Sequence, residues 1–573
     1  MSTVSTKSRT NKKARSEAPI GEARSSIRLN GEPTARPDLS ERTWRISSFA
    51  ISCIAAFLRL YNLNLVPLHH DEGVNGNFLV RLVREGAYQY DPANYHGPTL
   101  YYFAALIPWT LKLLFGPSAM ETYGLNTVTI RLVPALFGVA TIWLVLLLRK
   151  RVGTIAALSA ALLLAISPGA VYLSRYFIHE TLFVFFTLAT VVTCLKFYEE
   201  RNPVFLLLAA VSVALLFATK ETAMISAAVL VIALVSTHLY RRLHKSSTGT
   251  KRSKRKRPNE TKYGPREFME GLGGPMTLSL WIMLALLVFL AVNILFYSSF
   301  FKNYPKGIYD ALKTFDFWTK TGKEAHVHSP STYLKWLTLQ ESPLLFLGVV
   351  GAAFAVWKPK NSFALFTALW AFGLVAAYSL VPYKTPWLTL NFIVPLAIVA
   401  GYGVQSIYEL DIWQWKLPAA VVLLAVAVSG YQTIDLNFFN YDNDNEHYVY
   451  VYAHTRRETL KLVDEINRIA QQTHEGGLIG ITIVSPDYWP LPWYLRNYTR
   501  VGYYGRMSPS TEPIIIASES QRAEIESTFG GQYQQVPSGN ESGSFPLRPG
   551  VSLLLYVRRY VSNHQAKSIL PAT

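Results

Sequence analysis

The sequence is poor in charged residues and in cysteine, and both shortages narrow the classes of protein that it can encode. Of its 573 residues only 16% are Asp, Glu, Lys or Arg, whereas a soluble chain carries about 25%. This shortage argues against a soluble enzyme. The two cysteines, Cys53 and Cys194, both lie within apolar runs. Their position argues against a disulfide framework and against a cysteine metal site.

Two further absences concern targeting and transport. Residues 1–44 contain no short apolar core followed by a small-residue cleavage site, so we expect no removable signal peptide. We find no internal repeat, and ionisable residues are sparse in the middle of the apolar runs. An ion-coupled secondary transporter is usually built from repeated halves, and the sequence therefore does not favour one.

The sequence does contain many long apolar runs. Half of its residues are hydrophobic and 13% are aromatic, with a mean hydropathy of +0.19. About 20 apolar residues in a helix cross the hydrocarbon core of a bilayer, and about eleven runs come near this length. They are residues 45–62, 128–148, 153–173, 177–197, 203–219, 222–240, 276–297, 343–357, 362–381, 387–407 and 417–434. The pattern predicts a polytopic α-helical membrane protein of about 11 transmembrane helices.

The net charge of +18 is concentrated beside these runs and does not indicate nucleic acid binding. Residues 1–45 hold ten Lys or Arg against five Asp or Glu, and residues 241–270 hold eleven against three. Cytoplasmic loops of membrane proteins collect Lys and Arg. We therefore place both segments in the cytoplasm, as a disordered basic tail (1–44) and a basic loop (241–270) that could also contact anionic membrane lipids.

The apolar segment 98–116 decides the topology. If it crossed the membrane, the basic loops 149–151 and 241–270 would lie outside, against the positive-inside rule. We therefore predict that it lies along the interface or re-enters, within a first extracytoplasmic loop of residues 63–127. The transmembrane domain then spans 45–435, in the plasma membrane.

The last part of the chain, 436–573, has a soluble composition and is predicted to be a small extracytoplasmic α/β domain. We expect helices at 455–472 and 520–528, and strands at 478–484, 513–517 and 552–557. Its aromatic segment 489–494, Trp-Pro-Leu-Pro-Trp-Tyr, is expected either to pack against the membrane domain or to line a sugar site.

Two histidines and two carboxylates, His69-His70-Asp71-Glu72, follow the first apolar run. A carboxylate placed at the outer membrane boundary can accept a proton from an attacking hydroxyl, which contributes about 10²–10⁴ in rate. Alternatively, Asp71 and Glu72 cap the next helix, where a negative charge contributes about 0.3–1 kcal/mol. This stretch alone leaves both interpretations open.

Cations accompany this pair in the other predicted outer loops. Ionisable residues at such depths usually mark a site or a pathway, although lysine and arginine also extend to lipid headgroups. Gathered on one side, they suit transfer of a group from a phosphate, whose developing charge they would stabilise. The candidate substrate- and phosphate-binding residues are His96, Arg175, Glu180, Lys220, Glu221 and Lys384.

Histidines provide the only candidates for a metal site. A divalent metal is held open as a cofactor, with His69, His70 and His96 as candidate ligands, but their spacing matches no closed zinc site. His326 and His328 are expected to belong to a loop that covers the substrate instead.

The chain resembles the GT-C membrane glycosyltransferases, in particular the protein O-mannosyltransferase and aminoarabinose-transferase branch of glycosyltransferase family 39 type. The resemblance is carried by Asp71-Glu72, by Tyr95-His96-Gly97-Pro98, by the run from Arg131 to Gly138, and by Ser174-Arg175 with Glu180. Together with the Trp-rich tail, it resembles still more a prokaryotic subgroup labelled flippase-activity-associated. The likeness is strongest over residues 45–240.

The resemblance implies a hexosyl or pentosyl transferase with a polyprenyl-phosphate-linked sugar donor, a lipid or protein acceptor and a single inverting displacement. Asp71 would be the catalytic base and Glu72 would assist or orient it. One of Arg175, Lys220 and Lys384 would hold the donor phosphate. The family often has His-Pro-Pro where this chain has His96-Gly97-Pro98, so His96 corresponds less closely. The alternative function is a non-catalytic accessory role in translocating lipid-linked sugars.

Overall fold

The computed structural model describes residues 39–93, 96–247, 269–321, 326–359, 361–410, 415–539 and 542–559. Most of the predicted basic tail, most of the 241–270 loop and Tyr95 lie outside these ranges. The rest forms a bundle of helices followed by a small domain with a sheet.

The bundle is built from apolar helices whose ends carry ordinary stop and start signals. Asn126, Asn202 and Asn361 each cap a helix N-terminus with the side chain, and Gly86, in the left-handed conformation, ends another. In chain order the helices are α1 (Glu41–Leu60), α2 (His70–Glu85), α3 (Thr99–Phe115), α4 (Thr127–Leu147), α5 (Thr154–Ala165), α6 (Pro168–Ser174), α7 (Glu180–Glu200), α8 (Pro203–Phe217), α9 (Ala223–Ser247), α10 (Pro275–Tyr297), α11 (Lys306–Thr321), α12 (Thr332–Gln340), α13 (Ser342–Trp357), α14 (Ser362–Leu380), α15 (Leu390–Glu409) and α16 (Lys416–Ile434).

The helices confirm a polytopic membrane protein, while the count of eleven crossings stays a prediction. Within the described residues, eight helices are long and apolar enough to span a membrane, or up to ten if two bent pairs each make one span. The pairs are α5 with α6, bent by 58°, and α12 with α13, bent by 112°. Each predicted run coincides with a helix, but α8 has only 15 residues. Helix α3, with 17 residues, is shorter than a typical span, and its predicted interfacial position is not tested.

Helix α15 lies at the centre of the bundle, buried along nearly its whole length. Its neighbours α5 and α13 approach it through small residues. A Cβ on Gly401 of α15 would lie 2.2 Å from the carbonyl oxygen of Ala156, and one on Gly351 of α13 would lie 2.0 Å from that of Val399. The backbones are therefore in direct contact, as small residues allow between helices in a membrane.

The domain after the bundle contains one mixed six-stranded sheet with helices beside it. The sheet order is β2-β1-β3-β6-β4, with β5 pairing on β6; β1 runs parallel to β2 and β3, and β6 is antiparallel to its neighbours. The strands are β1 (Ile481–Ile483), β2 (Val501–Tyr503), β3 (Ile514–Ser518), β4 (Tyr533–Val536), β5 (Phe545–Arg548) and β6 (Val551–Arg558), and the helices are α17 (Glu458–Gln472), α18 (Leu491–Tyr494) and α19 (Arg522–Phe529).

The sequence predicted β1, β3, β6, α17 and α19 and missed the other three strands. Those strands, β2, β4 and β5, have only three or four residues each. β1 is as short, but it lies within the apolar run 478–484, whereas the three missed strands lie in no such run and do not stand out from loops.

The small domain rests on α2 through its aromatic segment. A Cβ on Gly73 would lie 2.5 Å from Cβ of Pro490, and one on Gly76 would lie 2.5 Å from the ring of Trp493. The hydroxyl of Tyr494 accepts a hydrogen bond from the backbone N–H of Leu68 at 2.9 Å. Packing against the membrane domain, one of the two predicted roles of this segment, therefore describes Trp493 and Tyr494.

Candidate active site

The first turn of α2 places Asp71 and Glu72 in opposite environments. His69 is the N-cap residue, and its Nδ1 accepts a hydrogen bond from the backbone N–H of Asp71 at 3.2 Å. Successive residues on a helix point about 100° apart. One carboxylate therefore faces the interior while the other faces an opening.

Glu72 faces the interior and is fully buried. Its two oxygens accept from Nε and Nη2 of Arg131 at 2.7 and 2.5 Å, and from the backbone N–H groups of Phe177 and His69 at 2.8 and 2.9 Å. Arg131 also donates to the carbonyl oxygens of Leu63, Val66 and Pro67. With every lone pair engaged, Glu72 holds α2 against α4 and leaves nothing free to accept a proton.

Asp71 has no such partners. Its side chain is 41% exposed, and its closest ionisable neighbour is His69, whose Nδ1 lies 3.9 Å from Oδ2. Among the described residues its carboxylate accepts no hydrogen bond. The pair thus divides into a structural residue and a residue available for chemistry.

Aromatic rings and histidines surround the opening at Asp71. The ring of Trp489 lies 6.2 Å from that of His70, and the ring of Trp387 lies 6.1 Å from that of His69. Tyr452 joins two sides of the opening, since its hydroxyl bonds Nδ1 of His326 at 2.6 Å and its carbonyl oxygen bonds Nε2 of His69 at 3.0 Å. Trp489 therefore lines the opening, while Trp493 and Tyr494 of the same aromatic segment pack against the membrane domain.

A buried row of rings lies behind His69. The hydroxyl of Tyr176 donates to that of Tyr172 at 2.6 Å and is 2.8 Å from Nδ1 of His454. Burial, with the charges of His69 and Arg131 adding to it, holds the pKa of His454 well below its usual value. His454 is thus a neutral imidazole, and the row fixes the back wall of the site.

Sequence reasoning missed Tyr176 and His454, and it read Arg131 only as part of a motif. An arginine four residues into a predicted span was an available signal, because a charge there needs a buried partner. No local pattern pointed to His454, which comes from a loop far along the chain.

A second cluster contains four of the predicted site residues. Nζ of Lys220 lies 2.5 Å from Oε1 of Glu180, and both side chains are buried. Nδ1 of His96 lies 3.4 Å from Oε2 of Glu221. Burial lowers the pKa of Lys220, but the charges of Glu180 and Glu221 outweigh this and raise it above its usual value. This cluster is a compensated ionic group with two carboxylates for one lysine.

Arg175 and Lys384 are held by neutral groups instead. Arg175 donates to the carbonyl oxygens of Leu58, Tyr61 and Asn62 at 2.6–3.1 Å. Lys384, which is almost fully buried, donates to the carbonyl oxygens of Val381 and His328 at 2.5 and 3.3 Å. The structure therefore does not gather the three predicted phosphate-binding cations around one point, and their roles stay predictions.

The candidate metal ligands do not form a metal site. No three His, Cys, Asp or Glu side chains in the described residues are arranged to hold an ion. His69 caps α2, His70 faces Trp489 and His96 faces Glu221. Their side chains therefore do not converge on one point within the described part of the chain, and a divalent metal cofactor stays a prediction.

Comparisons with known proteins agree with this architecture. The family described as dolichyl-phosphate-mannose-protein mannosyltransferase matches residues 104–250. The crystal structure of ArnT from Cupriavidus metallidurans in the apo state is similar with a TM-score of 0.59 and 14% identity, over 90% of this chain and 98% of that chain. The chain has the GT-C fold. The predicted resemblance to GT-C glycosyltransferases of the aminoarabinose-transferase type is thereby confirmed, whereas no comparison bears on the flippase-associated subgroup.

Two ligand-bound structures have the same fold. ArnT bound to undecaprenyl phosphate gives a TM-score of 0.58 at 13% identity, over 90% of this chain and 98% of that chain. Archaeal oligosaccharyltransferase AglB from Archaeoglobus fulgidus, in complex with an inhibitory peptide and a dolichol-phosphate, gives 0.51 at 13%, over 88% and 74%. No curated protein matches by sequence. The family match begins after Asp71, so the role of Asp71 rests on geometry.

Proposed function

We propose that this protein is a membrane glycosyltransferase that moves a sugar from a polyprenyl-phosphate-linked donor to a lipid or protein acceptor, with Asp71 as the base. One observation carries the proposal. Of two adjacent carboxylates on a GT-C fold, Glu72 is fully engaged by Arg131 and two backbone N–H groups. The carboxylate of Asp71, which lies in an aromatic opening, accepts no hydrogen bond from any described residue. An acceptor hydroxyl entering that opening meets a proton acceptor.

The reaction is a single displacement with inversion at the anomeric carbon. A carboxylate oxygen of Asp71 takes the proton of the acceptor hydroxyl, whose oxygen bonds to the anomeric carbon. The bond from that carbon to the phosphate oxygen breaks, and polyprenyl phosphate leaves with the electron pair. The base contributes about 10²–10⁴ of the rate; the rest comes from positioning and from stabilising the phosphate charge.

Lys384 is the cation best suited to the donor phosphate. The charge of Lys220 is already balanced by Glu180 and Glu221, so a further anion gains little there. The ammonium of Lys384 donates to two carbonyl oxygens and lies 5.9 Å from the centre of the Tyr333 ring, and it has no carboxylate partner within the described residues. The backbone N–H of Lys384 donates to the carbonyl oxygen of His326 at 3.0 Å. His326 is close enough to Asp71 for the two groups to interact electrostatically. The turn that carries Lys384 is bonded to His326 and therefore lies beside the site. The partners of Arg175 among the described residues are also neutral, but its hydrogen bonds hold it to the carbonyl oxygens of residues 58–62.

Trp489 and His70 offer a surface for the sugar or the acceptor. The face of an indole ring suits the C–H groups of a pyranose, and Trp489 is only half-buried. Its position opposite His70 would align a bound hydroxyl with Asp71. The second predicted role of the aromatic segment, lining a sugar site, is thus assigned to Trp489 alone.

The test is Asp71→Asn in the purified full chain, assayed with a panel of polyprenyl-phosphate hexoses and pentoses. Transfer should fall by about 10²–10⁴, because the base is lost, and the thermal unfolding temperature should stay near wild type. The matched control is Asp91→Asn, which should keep full activity because it changes an exposed aspartate whose side chain accepts a hydrogen bond from the N–H of Ala93. Wild-type turnover in Asp71→Asn would rule out Asp71 as the base.

A cellular comparison separates transfer from the accessory role in translocation. Cells without the protein should make glycans that lack one sugar residue. Accumulation of complete lipid-linked glycan inside the cell, with no sugar missing, would instead support the accessory role and contradict a transferase.

A further inference from the structure

A polar cavity lies at the end of the bundle far from Asp71. It has a volume of about 570 Å³ and is lined by the ends of α13 and α15, the start of α14 and the turn between α4 and α5. Helix α4 carries Arg131 near one end, and Lys150 follows the other end. The 19 steps along the chain from Arg131 to Lys150 correspond to roughly 28 Å at about 1.5 Å per residue. The cavity is therefore about one bilayer core away from the Asp71 opening.

The cavity is lined by more positive than negative charge. Lys150, Arg151 and Lys358 contribute three cations, and Glu409 is the one carboxylate among the residues that line it. Within the described chain, Lys150 and Lys358 make no ion pair, and Glu409 interacts with Gln405. The two lysines thus leave their charge uncompensated at the mouth of a cavity.

The polar groups inside the cavity are held in place before any ligand arrives. The side chain of Asn361 donates to the carbonyl oxygen of Arg151 at 2.6 Å and caps α14 through the N–H groups of Phe363 and Ala364. Ser362 accepts a hydrogen bond from Arg241. A ligand would meet a preformed pocket, within the roughly 300–1,000 Å³ typical of small-molecule sites.

Exposed apolar residues flank the cavity and place it at the membrane interface. Leu147, Trp357 and Leu410 beside it are exposed, and the tryptophan suits the headgroup level of a bilayer. The ammonium of Lys358 lies 5.2 Å from the centre of the Trp357 ring, in a cation–π contact. A phosphate in the cavity could therefore remain attached to lipid chains outside it.

We propose that this cavity binds a phosphate ester at the membrane interface, with Lys150 and Lys358 as its principal charged contacts. The ligand chemistry is an anionic phosphate carrying a small polar ester group, which the net positive charge and the volume both favour. This site is separate from the proposed transferase site, and its occupancy can be measured without any transfer assay.

The experiment measures binding to the purified full chain in neutral detergent by native mass spectrometry. The probes are a short-chain phosphatidic acid, the diacylglycerol with the same chains, and glycerol 3-phosphate. The variants are Lys150→Gln/Lys358→Gln and the matched control Arg242→Gln/Lys416→Gln, which removes the same charge from exposed positions outside the cavity. Thermal unfolding of each variant checks that the fold is kept.

Phosphatidic acid should bind wild type more tightly than diacylglycerol does, and the cavity variant should lose about thirtyfold in affinity, since each lysine near an anion contributes about fivefold. The control should change less than twofold. If glycerol 3-phosphate binds as tightly as phosphatidic acid, the ligand is a water-soluble phosphate ester. If phosphatidic acid binds and glycerol 3-phosphate does not, the ligand is a membrane lipid. An unchanged affinity in the cavity variant, or an equal loss in the control, would overturn the site.

Discussion

An arginine–glutamate pair lies near each end of α4, and the two pairs have the same charged groups but differ in burial. At one end Arg131 and Glu72 are 1% and 0% exposed, with two charged hydrogen bonds between them. At the other end Arg151 and Glu199 are 31% and 32% exposed. Water screens the second pair but not the first, so the same two charges interact with very different strength.

This difference indicates what each end of the bundle is built to do. The oxygens of Glu72 and the N–H groups of Arg131 are all hydrogen-bonded within the protein, which fixes α2 and presents Asp71 in one position. Around Arg151 the charges remain hydrated and partly unpaired, which leaves them available to an external anion. Rigid positioning suits a reaction centre, and hydrated cations suit reversible binding.

The largest expected effect comes from breaking the buried pair. Arg131→Ala should destabilise the protein by about 3–5 kcal/mol, because it leaves the Glu72 carboxylate buried without its partner. The free energy of unfolding in detergent measures this, and transfer should be lost as α2 becomes disordered.

The control removes both charges together. Glu72→Gln/Arg131→Met should recover much of the stability lost in Arg131→Ala, since no unpaired charge remains. If Arg131→Ala unfolded at the wild-type temperature, the buried pair would not be what fixes α2.

An intermediate effect is expected from His454 and appears as a pH dependence. Burial keeps the pKa of His454 well below its usual value, so the folded protein stays unprotonated there while the unfolded chain takes up a proton below about pH 6.5. Stability is therefore fully present above pH 6.5 and falls below it, by about 1.4 kcal/mol per pH unit from this group.

His454→Gln should flatten that slope between pH 6.5 and 5, as measured by unfolding at a series of pH values. His244, which is exposed at the other end of the bundle, supplies the comparison, and His244→Gln should leave the slope as it is. A wild-type slope in His454→Gln would show that this imidazole is protonated in the folded protein.

The smallest effect should come from the exposed pair. Arg151→Ala is expected to cost about 0.2–1 kcal/mol, several times less than Arg131→Ala, and to weaken further as salt is added. Unfolding of the two variants side by side at low and high ionic strength measures the contrast. A loss of 3 kcal/mol at Arg151 would remove the distinction between the two ends.

The sequence predicts the helical bundle well because apolar runs near 20 residues have few alternatives. The bends between α5 and α6 and between α12 and α13 were not predictable in the same way, since hydropathy does not report a change of direction. Hydropathy also does not give the number of membrane crossings, because that number depends on how the short helices α3 and α8 lie in the bilayer.

The sequence proposes candidate site residues by their type and position, but it does not give the contacts that separate their roles. Asp71 and Glu72 look alike in the sequence, and only the contact with Arg131, 59 positions after Glu72, separates their roles. Likewise, the sequence gives no sign that Lys220 is paired, and the structure shows its ammonium beside the carboxylate of Glu180. Long-range pairing of this kind is set by tertiary packing, which no local pattern encodes.

The two glycines of α2 have a consequence for exchanging domains between relatives. Gly73 and Gly76 leave no space for even a methyl group beneath Pro490 and Trp493. Helix α2, which carries Asp71, is therefore matched in shape to the aromatic segment of the C-terminal domain. A chimaera that took the C-terminal domain from another protein would have to take α2 with it. In this chain the natural unit of recombination therefore joins the first loop to the last domain.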